Sequence, residues 1–263
     1  MNIKLHFGKG GGSEHCLLKK FKNKREQAFA EREQELLVLA EKIMAKEGFS
    51  GLTMDKLVVA CDYSKGTVYN HFSSKEDLLC ALCVKSMEME IALFDKGLAF
   101  QGRSRERLLA IYYAYRLHAL MHPTLFYCVL TAKTPAVKEK ASEARLTQQA
   151  ELELQLSHVC DQLFEQGIQD GDLKLPAGIT YSHLSFAAWA LAFGSNALLQ
   201  GASEATLVSR INAQEALLFN VNLVLDGMHW TPLSQDWDYR ACWQRIGKKI
   251  FSTELSTLEQ ASA

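Results

Sequence analysis

The stretch from Thr53 to Leu78 constrains the fold more than any other part of the chain, because it predicts two short helices joined by a tight turn. Thr53 and Ser64 stand where these helices should begin, and a hydroxyl there can accept a hydrogen bond from an unpaired helix amide. Asp62 stands at the turn, and aspartate is one of the few residues besides glycine that tolerate a left-handed conformation. The stretch therefore indicates a helix-turn-helix motif followed by the start of a third helix.

The second helix of this motif has one apolar side and an outer surface that is polar, basic and aromatic. Val68 and Phe72 lie one helical turn apart, so we expect them to be buried together. The remaining positions of the helix are Lys65, Gly66, Thr67, Tyr69, Asn70 and His71. A helix with such a surface is typical of one that enters the major groove of DNA.

At these residues the chain resembles the TetR family of bacterial transcriptional regulators. The positions that match the family pattern are Thr53, Leu57, Ser64, Gly66, Thr67, Val68, Tyr69, His71, Phe72, Ser74, Lys75, Glu76 and Leu78. The chain departs from the pattern in the turn, where Cys61, Asp62 and Tyr63 replace Ala, Gly and Val. Aspartate remains compatible with the turn geometry.

The resemblance implies an all-α protein with an N-terminal three-helix DNA-binding domain and a larger C-terminal domain for ligand binding and dimerisation. We predict a flexible basic arm over residues 1–27, the helix-turn-helix domain over 28–76 and the helical regulatory domain over 77–263. The helix over 74–98 is expected to link the two domains mechanically.

The predicted DNA contacts fall into two groups. Lys65, Thr67 and Asn70 are candidates for reading bases, because lysine can donate to guanine and asparagine can pair with adenine. The candidates for phosphate contacts are Thr53, Tyr69, His71 and Lys75, and Ser64 and Gly66 complete the predicted site.

The positive charge of the chain is concentrated before this motif. The net charge of the whole chain is −1, whereas residues 1–30 carry seven Lys and Arg against two Glu. We expect residues 1–24 to be irregular, because glycines at 8 and 10–12 disfavour a helix. A basic stretch here forms either an arm that contacts DNA or a solvated tail, and it consists of Lys19, Lys20, Lys22, Lys24 and Arg25. A first helix is expected to begin near 28–31 and to end at Gly48.

The rest of the chain is predicted to be helical, with the four prolines at the joints between helices. The expected segments are about 103–122, 124–132, 136–169, 177–200, 204–227 and 236–253, and no long period-two alternation indicates a sheet. The longest uninterrupted apolar run, 186–193, is far shorter than the ~20 residues that span a bilayer. With no signal peptide and no paired framework among seven cysteines, we expect a cytoplasmic protein.

Two segments suggest self-association. Residues 184–199 mix large apolar side chains with alanine, glycine and serine, which let helices approach closely. Heptad-like spacing predicts a packing seam that contains Leu207, Ile211, Leu218, Val221 and Leu225. The resemblance implies that the last long helices form a four-helix interface across a two-fold axis. The alternative is an ordinary intramolecular core.

An aromatic cluster predicts a pocket for a small, apolar or aromatic effector, as found in regulators that this chain resembles. Its predicted members are Tyr112, Tyr115, Phe126, Tyr127, Phe164, Phe186 and Trp189. The alternative is that these rings are plain core. His118 and His122 lie one helical turn apart, but no acidic or thiol partner is near them in sequence, so we predict neither a metal nor a cofactor.

Catalytic motifs such as a phosphate loop, a nucleophile elbow or an HExxH helix are missing from the sequence, so an enzyme is not predicted. The preferred function is a homodimeric repressor that binds a palindromic operator and responds to a ligand. One alternative is a DNA-binding structural or protein-interaction factor without small-molecule control. Another is a thiol-based redox sensor, for which Cys61 in the turn is the leading candidate.

Overall fold

The computed structural model describes residues 12–175 and 177–262, with side chains for 24–175 and 177–261. Every regular element in this part of the chain is a helix, which confirms the predicted all-α fold. The chain divides into two compact units, the first ending at Lys75 and the second beginning at Glu76. None of the described helices is long and apolar enough to cross a membrane.

The first unit contains α1 (Gly12–Gly51), α2 (Met54–Ala60) and α3 (Lys65–His71). Both predicted helix caps are confirmed: the Thr53 hydroxyl accepts from the Lys56 amide at 3.2 Å, and the Ser64 hydroxyl accepts from the Thr67 amide at 3.1 Å. The side chains that are fully buried in this unit are Leu36, Ala40, Leu52, Leu57, Val68 and Phe72. Burial of these side chains supplies the main favourable free energy of a domain this small.

The start of α1 differs from the prediction. We expected irregular structure over residues 1–24, yet α1 already begins at Gly12; residues 1–11 lie outside the described residues. Residues 13–24 contain no glycine or proline and consist mostly of Lys, Leu and Glu, whose helix propensity is high. Gly48 interrupts the helix as predicted, with φ 74° and ψ 179°, but helical turns resume up to Gly51.

The second unit contains the long helices α4 (Lys75–Leu98), α5 (Ser104–Met121) and α8 (Glu143–Gln169), with α4 beginning one residue before it. The other helices are α6 (Pro123–Ala132), α7 (Pro135–Lys138), α9 (Tyr181–Gly201), α10 (Ala213–Gly227), α11 (Tyr239–Ile250) and α12 (Ser252–Ser262). Helix α5 is central, because it packs against α6, α8, α9, α11 and α12. Its buried side chains form the middle of the hydrophobic core.

Two predicted long helices are shorter than expected. The segment 136–169 is broken at Ser142, whose extended backbone amide donates to the Asp77 carboxylate at 2.9 Å. The segment 204–227 is helical only from Ala213, because the Asn212 side chain caps the Gln214 amide at 3.0 Å. In addition, the helix predicted over 236–253 ends at Ile250, and a separate helix, α12, follows it.

The prediction of one packing seam along a single helix is also wrong. Leu218, Val221 and Leu225 are buried within their own unit, whereas Leu207 and Ile211 are exposed and precede α10. The apolar side chains that α10 leaves exposed are instead Phe219 and Leu223, one helical turn apart.

A buried arginine joins α5 to α10 and to the segment that follows it. The Arg105 guanidinium is fully buried and lies 2.7 Å from the Asp226 carboxylate. It also donates to Asn222 at 3.0 Å and to the Pro232 carbonyl at 3.1 Å, and it lies 4.4 Å from the centre of the Tyr239 ring. Since a buried charge is tolerated only with such compensation, this cluster fixes the packing of the C-terminal segment.

Candidate nucleic-acid interface and ligand pocket

Helix α3 turns its apolar side inward and most of the predicted DNA-contacting residues outward. Val68 and Phe72 are fully buried, which confirms the predicted anchoring of this helix. The residues exposed on α3 and its N-cap are Ser64, Lys65, Gly66, Tyr69 and Asn70, with Thr67 half-buried. A side chain at Gly66 would make only ordinary contact with Ser64, at 3.8 Å. Packing therefore does not require this glycine, which leaves the backbone open to a close partner.

Lys65 is held on the surface by a contact with Asp55 that a DNA group can replace. Its ammonium donates to Asp55 at 3.1 Å and lies 5.6 Å from the centre of the Tyr69 ring. The hydrogen bond to Asp55 raises the pKa of Lys65, so the side chain stays charged. Exposed pairs of this kind contribute little stability, because water screens them. A phosphate or a base edge can therefore displace Asp55 at low cost.

Two predicted phosphate contacts lie at the surface of the first unit and keep free donors. The Thr53 hydroxyl accepts a bond from the Lys56 amide, which leaves its own hydrogen available. The Lys75 ammonium donates to the Phe49 carbonyl at 3.2 Å and has two further hydrogens.

His71 is the exception, and its predicted phosphate contact is corrected. The side chain is 1% exposed, with Nδ1 3.6 Å from the Glu33 carboxylate. The imidazole stacks on the Phe29 ring at 3.8 Å between centroids. His71 therefore lies between α3 and α1 and holds the end of α3 in place. The sequence pattern did not distinguish this role from a phosphate contact.

The second unit contains a cavity of about 390 Å³ lined by residues of α4, α5, α6, α8 and α9, together with Lys133. Four of the predicted aromatic residues line it: Tyr112, Tyr115, Phe186 and Trp189. Phe94 on α4 adds a fifth ring. About half of the remaining lining residues are aliphatic, and together with the rings they give the cavity the apolar character typical of ligand sites.

The other three predicted pocket residues do not line the cavity. Phe126 is buried and stacks on Phe193, with 5.1 Å between ring centroids. The Tyr127 hydroxyl donates to a backbone carbonyl of α9 at 2.9 Å. Phe164 is fully buried against the Trp230 ring. Phe126 and Phe164 are thus plain core, as the alternative predicted, whereas Tyr127 is 36% exposed and lies in neither the core nor the cavity wall.

Sequence reasoning missed the charged groups of the cavity. Glu90 on α4 is only 8% exposed, and no hydrogen bond joins it to another described residue. Burial raises the pKa of Glu90 to about 8, although the nearby Lys133 ammonium opposes the shift. Lys133 itself is paired with Glu153. The Tyr112 hydroxyl is also buried without a hydrogen-bond partner among the described residues.

The raised pKa of Glu90 predicts how stability depends on pH. The folded protein holds this proton up to about pH 8, whereas the unfolded chain releases it near the ordinary value of 4.5. The free energy of unfolding should therefore fall as pH rises through this window, by at most about 1.4 kcal/mol per pH unit. Urea titrations should show this slope in the wild type and in Glu88→Gln, an exposed control on the same helix. A slope unchanged in Glu90→Gln would contradict the assignment.

The histidine pair is not arranged as a metal site. His118 Nε2 lies 3.0 Å from the Ser86 hydroxyl, and both side chains are buried. Burial lowers the pKa of His118 to about 3, so the ring is neutral at physiological pH. Among the described residues no three His, Cys, Asp or Glu side chains are grouped so that they could hold a metal ion.

The cysteines of α4 are protonated core residues. Cys80 and Cys83 are fully buried, and burial raises the pKa of Cys83 to about 12. Since the thiolate is the reactive form, these thiols are poorly suited to redox sensing. Cys61 in the turn is half-buried, with its sulfur 3.6 Å from the Val58 carbonyl.

The architecture defines a helix-turn-helix protein: a three-helix unit presents a polar, basic helix, and a separate helical unit encloses a cavity. Residues 36–82 match the family model described as bacterial regulatory proteins, tetR family. The match covers α2, α3 and the adjoining parts of α1 and α4.

Individual relatives are distant. The HTH-type transcriptional repressor NemR of Escherichia coli (strain K12) is 30% identical over 108 residues, which is 39% of this chain and 52% of NemR. The chain thus spans about half the length of this curated relative. A tetR-family regulatory protein from Rhodococcus RHA1 has a TM-score of 0.59 at 16% identity, over 76% of this chain and 97% of its own. FadR from Bacillus subtilis, solved with stearoyl-CoA, has a TM-score of 0.55 at 16% identity, over 72% of this chain and 97% of FadR. These structures share the fold.

Proposed function

We propose that the protein is a sequence-specific DNA-binding regulator, a ligand-responsive repressor that binds a palindromic operator as a homodimer. The observation that carries this proposal is the exposed surface of α3. Lys65, Tyr69 and Asn70 lie on a helix whose other side is anchored by Val68 and Phe72. A short helix fixed in this way can enter the major groove without reorganising, which lowers the entropic cost of binding.

In the proposed complex, Lys65, Thr67 and Asn70 read bases. Lysine donates to the O6 and N7 acceptors of guanine, and asparagine pairs with N6 and N7 of adenine. Thr53, Tyr69 and Lys75 contact phosphates and set the register of the helix in the groove. His71 acts indirectly, by holding α3 against α1.

An exposed apolar surface on α9 and α10 supports the homodimer. Phe219 and Leu223 of α10 are 64% and 58% exposed, and Leu198 of α9 is 57% exposed. Gly194 on α9 has no neighbour within 4 Å of the position that a side chain would take, so another helix can approach closely there. Exposed apolar groups of this kind mark contact surfaces, and a second copy paired about a two-fold axis would bury them.

Ligand control would operate through α4. This helix begins at Lys75, where the first unit ends, and it contributes Met87, Glu90 and Phe94 to the cavity wall. A ligand that displaces α4 would change the separation of the two recognition helices in a dimer. It must bind the two conformations unequally, since otherwise the equilibrium does not shift. Such a regulator acts on DNA in the bacterial cytoplasm.

Replacing Asn70 by alanine should relax sequence preference at one base position. The expected loss of affinity is about 1–3 kcal/mol on the preferred operator and much less on an operator altered at that base. Fluorescence anisotropy on both operators would measure the difference, with Gln34→Ala on the exposed side of α1 as the control. Equal losses on every sequence would remove Asn70 from the base-reading set.

Release from DNA separates this proposal from a structural factor of the same fold. A ligand-responsive repressor leaves its operator when the cavity is occupied. A structural factor binds DNA equally well with the cavity empty or filled, and it gives anisotropy curves that do not respond to ligand.

A further inference from the structure

The cavity wall has more acidic groups than basic ones. Glu90, Glu153 and Asp161 line it, and Lys133 is the only cationic side chain among the lining residues that the structure describes. Lys133 is already paired with Glu153, and Asp161 accepts a hydrogen bond from Ser185 at 2.5 Å. A carboxylate or phosphate ligand would therefore meet like charge and would have to compete with Glu153 for the one ammonium.

Among the described residues, Glu90 is the carboxyl group of this wall that has no hydrogen-bond partner. It is buried on α4, and no hydrogen bond satisfies it within the described part of the chain. The hydroxyl of Tyr112, on the adjoining wall from α5, is also buried and has no hydrogen-bond partner among the described residues. Buried polar groups without partners destabilise a fold by a few kcal/mol, so such groups at a cavity are typical of a site that a ligand completes.

Aromatic rings surround the same space. Phe94, Tyr112, Tyr115, Phe186 and Trp189 all line the cavity. The face of an aromatic ring attracts a cation, and this attraction is stronger away from water. Phe94, Tyr112 and Tyr115 are buried, whereas Phe186 and Trp189 are 66% and 39% exposed. Apolar rings around an unpaired carboxyl group thus match a molecule that is hydrophobic and carries one positive charge.

We propose that the effector is a hydrophobic organic cation, an amine or quaternary ammonium whose charged nitrogen lies against Glu90 between these rings. This inference rests on the proposed function only where it calls the bound molecule an effector. The binding chemistry itself depends on the cavity alone.

The affinity for a cation should depend on pH in a way that the affinity for a neutral or anionic ligand does not. Because burial holds the pKa of Glu90 at about 8, the carboxyl group must lose a proton to pair with the cation at lower pH. Affinity should rise by up to about tenfold per pH unit below pH 8 and level off above it. The titratable groups that face Glu90 across the cavity are Tyr112, Tyr115, Lys133, Glu153, Cys160 and Asp161. Replacing Glu90 alone should remove the slope.

Three probes that share one decyl chain test the proposal: decyltrimethylammonium, decanol and decanoate, below their micellar concentrations. Calorimetry with the full-length protein at pH 8.5 should give tightest binding for the ammonium, by about tenfold or more over the alcohol, and weakest for the carboxylate. Glu90→Gln should abolish the preference for the ammonium, whereas Glu88→Gln, exposed on the same helix, should retain it.

The inference is overturned if decanoate or decanol binds as tightly as the ammonium, or if none of the three binds. It is overturned equally if Glu90→Gln, shown to be folded by circular dichroism, keeps the preference. Should Glu90→Gln not fold, the order of the three probes on the wild type decides the matter. Operator binding is measured separately: a cation that binds through Glu90 without releasing DNA would refute ligand control and leave the cavity chemistry intact.

Discussion

Replacing Arg105 by alanine is expected to lower the free energy of unfolding by about 3–5 kcal/mol, because it leaves the partners of a buried cation unsatisfied. The guanidinium is fully buried and lies 2.7 Å from Asp226. Its loss would strand the Asn222 side-chain oxygen and the Pro232 carbonyl, which it bonds at 3.0 and 3.1 Å. Urea denaturation followed by circular dichroism would measure the change.

The matched control is Arg240→Ala. Arg240 lies 2.7 Å from Glu215, the same separation as in the buried pair, but its side chain is 66% exposed. An exposed pair contributes at most about 1 kcal/mol, so this variant should unfold almost like the wild type. Similar losses of unfolding free energy in the two variants would show that the contribution of Arg105 does not depend on its burial.

In the proposed homodimer, replacing Leu223 by glutamate is expected to separate the two copies and to weaken operator binding by about a hundredfold or more. A charge placed in an apolar interface would have to be desolvated without a partner. A monomer also loses the gain in effective concentration that a second, linked recognition helix provides. Sedimentation velocity would report the mass, and anisotropy the operator affinity.

The control for this variant is Leu154→Glu on α8. Leu154 and Leu223 are exposed to almost the same degree, 57% and 58%, so neither substitution should unfold the chain. Leu154→Glu should stay dimeric and bind the operator normally. A Leu223→Glu variant that remains dimeric would place the interface elsewhere.

The sequence predicted the features that depend on neighbouring residues. The caps at Thr53 and Ser64, and the burial of Val68 and Phe72, follow from spacings within a few residues of each other. Each appears in the structure as expected. These signals are local, since a cap or a one-turn apolar pair is complete within a single helix.

Features that depend on distant residues were missed or misplaced. The break before α8 involves Asp77, which accepts from the amide of Ser142 far along the chain. Glu90 resembles an ordinary polar residue of a helix until the folded unit buries it. Phe126 and Phe164 face the core and Tyr112 the cavity, and helical spacing alone does not decide between these environments.

The N-terminal part of α1 was misjudged for a related reason. The glycines before residue 13 suggested irregular structure, and that inference was extended too far along the chain. Helix propensity is set residue by residue, so the lysine- and leucine-rich segment that follows can be helical directly after Gly12.

Selection of bound DNA fragments by the purified protein, with its mass determined in the same buffer, tests whether α3 is a recognition helix of a homodimer. A homodimeric operator-binding regulator should give the mass of a dimer and an enriched palindrome whose half-sites are centred about one helical turn apart. A dimer that enriches many scattered sites without a shared sequence would favour a structural role. A protein that enriches no sequence at all would contradict the assignment of α3 as a recognition helix.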